Sequence, residues 1–128
     1  MKEAKTMRKI TINQNGRNFE FICESAGTRN GFKHDCNLFI DNYWINKATC
    51  HYLNRTWESW TFQTVCYNVI YKEMEAVYNR AIETYKYEHN IKRLTAAKKQ
   101  EFETMINNEH EYYKTLQTVK QTLKDKLF

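Results

Sequence analysis

No proline occurs in this chain, and its three glycines, Gly16, Gly27 and Gly31, all fall within the first 31 residues. These two residue types punctuate backbones most strongly, one by fixing φ and lacking an N–H, the other by tolerating positive φ. Tight turns are therefore concentrated at the N-terminal end, and the remainder is free to run as long helices. At 128 residues the chain fits a single domain, 1–128. The expected halves are a sheet over residues 1–54 and helices over 55–128. A 41% apolar and 15% aromatic composition is enough to build a core at this size. Mean hydropathy is −0.83, and no run approaches the roughly 18 apolar residues of a membrane span. Residues 1–6 lack the apolar stretch that follows the charges of a secretory signal, so a cytoplasmic protein without a membrane partner is expected.

The first half alternates with a period near two. Ile10 and Ile12 share a side, and Asn15-Gly16 is a strong hairpin turn. Phe19, Phe21 and Cys23 share a face of the next strand. Residues 25–31, with two glycines, read as a loop. Phe32, His34, Cys36, Leu38 and Ile40 then line one face of a third strand, Asp41-Asn42 turns the chain, and Tyr43–Tyr52 forms a fourth. The expected topology is a four-stranded antiparallel meander.

Beyond Asn54 the period changes to 3.6. Thr56 is a candidate cap, with Glu58 in the first turn. Phe62, Cys66, Val69, Ile70, Val77 and Ala81 form a stripe on a helix reaching about residue 90. Thr95 is the next candidate cap. A second helix places Phe102, Ile106, Glu109, Tyr113, Leu116, Lys120, Leu123 and Leu127 at steps of about 3.5 residues, with two charged interruptions. The fold class is α+β: the sheet followed by two long α-helices, the second folding back on the first or in part dimerising.

All four cysteines, Cys23, Cys36, Cys50 and Cys66, lie in the first 66 residues. In a reducing compartment they are either small core residues or thiolate ligands. Strand arithmetic gives the clustering. If Ser25 faces Phe32, Cys23 lies opposite His34. If the Asp41-Asn42 hairpin carries a one-residue bulge, His34 faces Cys50 and Cys36 faces Ala48. Cys66 comes from the covering helix. Any four of Cys23, His34, Cys36, Cys50 and Cys66 would then suit a structural zinc ion, which takes four soft or borderline ligands. An unbulged register would put Thr49 and His51 on that face instead. In the alternative reading, the cysteines are plain core and His34 is a hydrogen-bonded strand histidine.

The segment over residues 52–63 is densely aromatic. It reads either as a structural corner, with Asn54 and Thr56 capping, or as a recognition surface. Trp44, Arg55, Trp57 and Trp60 are the candidate partner-binding residues, because Trp, Tyr and Arg dominate binding hot spots. Asn30-Gly31-Phe32-Lys33-His34, followed by this aromatic-Asn-Arg-Thr-Trp-Glu segment, resembles small proteins of phages and prophages of Gram-positive bacteria. Some of these are similar to anti-CRISPR inhibitors of type II RNA-guided nucleases. The resemblance spans about the first half of the chain. It implies a protein that binds a host CRISPR effector nuclease and blocks target-DNA loading or cleavage. Many anti-CRISPR proteins are acidic DNA mimics, whereas this chain carries +5, so docking on a protein lobe is the expected mode.

Charge leaves a second reading open. Residues 1–56 carry 9 Lys/Arg against 5 Asp/Glu, and the rest 11 against 10. Basic residues interleaved with aromatics such as Phe39 and Trp44 would suit a small nucleic-acid-binding phage accessory protein. Enzymatic signals are poor: there is no phosphate-binding glycine loop, HExxH or GxSxG. Asp35 alternates in facing with its neighbours His34 and Cys36, so the three make no triad. A non-enzyme is expected.

Overall fold

A computed structural model describes residues 6–52 and 59–127. Four antiparallel strands come first: β1 (Thr6–Gln14), β2 (Arg17–Thr28), β3 (Gly31–Ile40) and β4 (Tyr43–Tyr52). They pair in the order β1-β2-β3-β4, the expected meander. Asn15 and Gly16, at φ 54° and 73°, bridge the Gln14–Arg17 pair as a type I′ turn, whose twist matches that of the strands it joins. Asp41 and Asn42, at φ 52° and 70°, turn the third hairpin in the same way.

Two expectations about the sheet are corrected. Residues 25–31 are not a loop: β2 continues to Thr28, and Arg29-Asn30 alone turns the chain into Gly31. The β2–β3 register therefore slides by two. Cys23 faces Cys36, and His34 faces Ser25. A slide of two preserves which face each residue occupies, so the buried set is the expected one with different neighbours. The third hairpin does carry its bulge, between Leu38 and Phe39 rather than at the turn. Beyond it, His34 faces Cys50 and Cys36 faces Ala48.

Three helices follow, not two: α1 (Ser59–Glu88), α2 (Ala96–Glu109) and α3 (Glu111–Leu127). Thr95 caps α2 by accepting from the Lys98 N–H at 3.2 Å. The break falls at His110, at φ −83° and ψ 101°. Its Nδ1 accepts the Tyr113 N–H at 3.1 Å, and its carbonyl accepts from Lys114 N at 2.9 Å. A histidine thus supplies the N-cap of α3. Packing explains the break. Phe102 and Ile106 join Tyr85 in a small cluster on the distal end of α1, while Leu116, Val119 and Leu123 return to the main core.

That core lies between the helices and one sheet face. Ile12, Phe19, Phe21, Cys23, Cys36, Leu38 and Ile40 face Phe62, Val65, Cys66, Val69, Ile70 and Val77 of α1. The opposite sheet face carries no helix among the described residues. No described helix is long and apolar enough to cross a membrane.

Candidate functional site

Cys23 and Cys36 stand side by side on β2 and β3, both pointing inward under the alternation of the strands. Cys66 descends on them from α1, one turn after Phe62 and one before Val69 and Ile70. All three side chains are fully buried, and their sulfurs lie within 4.8 Å of one another. Cys23 Sγ and Cys66 Sγ are 3.7 Å apart. Two sulfurs held about 2.3 Å from one tetrahedral ion stand about 3.8 Å apart, so the spacing suits a shared metal. Thiolates at this spacing select soft or borderline ions.

The structure brings together three of the five proposed ligands. His34 is buried one row along the same face, opposite Ser25 and Cys50. Cys50, part-exposed, accepts a hydrogen bond from Asn68 Nδ2 at 3.2 Å. Neither belongs to the close trio. The register slide accounts for this: Cys36, not His34, occupies the place opposite Cys23.

Electrostatics within the trio are asymmetric. Hydrogen bonds from Cys36, then Cys66, pull the Cys23 thiol down, against its burial and with help from Arg8. Cys36 and Cys66 are pushed up, first because each holds its proton toward Cys23, and Cys36 further by Cys66 and by burial. One proton is thus easily lost, and the next must leave beside a negative charge in an apolar surrounding. A bound cation removes that obstacle.

Arg8 flanks the trio. It stands opposite Cys23 across β1–β2, and its guanidinium lies over the Phe62 ring, 4.6 Å from the centroid. No motif marks this arginine in the sequence; only the β1–β2 register places it in the cysteine row.

The open sheet face presents different chemistry. Phe39 and Trp44 are cross-strand partners there, next to Ile22, which pairs with Asn37. Trp44 is 57% exposed and donates from Nε1 to Asn37 Oδ1 at 3.0 Å, which holds the ring against the strand. Charges of both signs surround it: Lys9 pairs with Glu20 at 3.0 Å, and Asp35 receives Lys33 at 3.7 Å and the Thr49 hydroxyl at 2.6 Å. No family model, curated protein or solved structure matches this chain. Site chemistry therefore carries the functional reading.

Of the remaining partner-binding candidates, Arg55 and Trp57 lie outside the described residues, as does the Thr56 cap. Trp60 is in the first turn of α1, with its side chain also outside the description. The charge interruption at Glu109 marks the end of α2, and Phe102, Ile106, Leu116 and Leu123 of the predicted seam are buried inside the chain itself.

Proposed function

We propose that this chain is a non-catalytic binding protein that docks on a larger protein through its open sheet face. The observation that carries this reading is the Trp44–Phe39 pair on a face that no described helix covers. An exposed tryptophan anchored by its own hydrogen bond loses little freedom on binding, and tryptophan is foremost among interface hot spots. The mixed charges around it, Lys9–Glu20 and Lys33–Asp35, match a polar interface rim better than a phosphate-binding stripe.

The partner implied by the resemblance is a type II RNA-guided nuclease. In this reading the protein is a phage-encoded anti-CRISPR-type inhibitor acting in the cytoplasm of the bacterial host. It occupies the nuclease surface and blocks target-DNA loading or cleavage. The buried cysteine trio is the place for a structural zinc ion, which would tie β2, β3 and α1 together and stiffen the docking face.

A cleavage assay with purified nuclease tests the proposal. Inhibition that survives excess non-specific DNA, together with co-elution of the two proteins, is the expected result. Trp44→Ala should weaken inhibition at least tenfold while leaving the thermal midpoint nearly unchanged. The Phe39–Trp44 pair also suits base stacking, which favours the second reading, a nucleic-acid-binding accessory protein. A steep salt dependence of DNA binding without nuclease contact would replace the first reading by that one.

A further inference from the structure

We propose that Arg8 is a functional part of the metal site, its guanidinium neutralising the excess charge of a divalent thiophilic ion bound by Cys23, Cys36 and Cys66. This rests on the reading of the cysteine trio as a metal site and adds to it a residue and a selection rule. A divalent ion held by three thiolates leaves one net negative charge in the protein interior. An uncompensated buried charge is costly, by several kcal/mol at least. A cation at the edge of the cluster offsets part of that cost, even from an exposed position such as that of Arg8.

Arg8 is placed to do so from two sides. The β1–β2 register sets it beside Cys23 in the same row as Cys36. The Phe62 ring holds its guanidinium at 4.6 Å, and Phe62 is one helical turn from Cys66 on the same face of α1. An arginine stacked on an aromatic ring keeps its charge while shedding much of its hydration cost.

The charge count predicts selectivity. Monovalent copper, equally thiophilic, would leave two negative charges against one cation. A divalent ion matches it. A trivalent arsenic centre bound by the three sulfurs is neutral without any cation. Arsenite reaches that state when three As–O bonds break and three As–S bonds form, each hydroxyl leaving as water with a thiol proton.

The test uses the full chain, reduced and freed of metal, in three forms: native, Arg8→Gln and Arg8→Lys. Zinc affinity is measured by competition with a chromophoric chelator, cobalt(II) reports thiolate ligation through its charge-transfer band, and arsenite is titrated as the neutral control. The native chain should bind one zinc ion. Arg8→Gln should bind it about 10–100-fold more weakly, the range typical when a residue supporting a metal ligand is lost, and Arg8→Lys should recover most of the difference. Arsenite affinity should be the same in all three. Zinc affinity unchanged in Arg8→Gln would overturn the role of Arg8 and leave the metal site standing. Parallel losses of zinc and arsenite would show that Arg8 acts on the fold instead, and would overturn it too. A native chain with neither zinc binding nor a cobalt–thiolate band would overturn both the metal site and the inference.

Discussion

Glu73 is buried on α1, yet its carboxylate has donors on two sides. Tyr112 of α3 donates its hydroxyl to Oε2 at 2.7 Å, and Asn46 of β4 donates to Oε1 at 3.3 Å. Removing one donor leaves a buried acceptor unsatisfied, so Tyr112→Phe should cost about 1–3 kcal/mol, read by urea denaturation. Burial, then the Glu73 acceptor, raises the Tyr112 phenol well above its ordinary range. The folded chain thus holds this proton to higher pH than the unfolded chain, whose tyrosines ionise near about 10. The stabilisation is full below about pH 10 and is lost as pH rises beyond it. Denaturation midpoints measured from neutrality into that alkaline range should fall less steeply in Tyr112→Phe. The cysteines make a separate prediction. Cys36→Ser should abolish zinc binding, because it removes a member of the close trio. Cys50→Ser should retain it, because Cys50 bonds Asn68 instead. Metal analysis of the two purified variants separates them.

Between elements, the decisive joints are single residues. His110 separates α2 from α3 and caps the latter through Nδ1. His110→Ala should lower stability by about 1 kcal/mol and His110→Asp should restore most of it, as melting curves would show, since a carboxylate can accept the same N–H. A sequence reading sees a continuous helix here because Phe102, Ile106, Tyr113, Leu116 and Leu123 keep a nearly unbroken spacing. Histidine is also a weak stop signal beside glycine or proline. The strands were more legible. Asn15-Gly16 and Asp41-Asn42 announce type I′ turns by their chemistry, and the alternation from Phe19 to Cys23 and from His34 to Ile40 identifies the buried face. The β2–β3 pairing was less so, because Gly27 suggests a loop although it lies within β2. Alternation alone cannot distinguish registers two residues apart. That ambiguity decided the site: the cysteines were legible as a cluster, but whether Cys23 meets His34 or Cys36 was not.

At the scale of the molecule, α1 is longer than the sheet needs. Its 30 residues span about 45 Å, and the part up to Val77 packs in the main core. The distal part rests on α2, through Tyr78, Tyr85, Phe102 and Ile106. Tyr78 meets Phe102 edge-on at 5.2 Å and Tyr85 meets it at 5.4 Å. Phe102→Ala should therefore remove most of what holds α2 down, a loss of about 3–5 kcal/mol from that cluster, while the sheet and its open face persist. Circular dichroism would show a loss of helix with the strand signal retained. The projecting end of α1 and its companion α2 make an outrigger with a small footing of its own. Because local opening free energies follow local packing, amide exchange should be graded along one continuous helix, fast at its outer third and slow where it crosses the strands. A protease would accordingly nick the outrigger first, and α3 would then stay on the sheet and inner α1 only through the packing of Leu116, Val119 and Leu123.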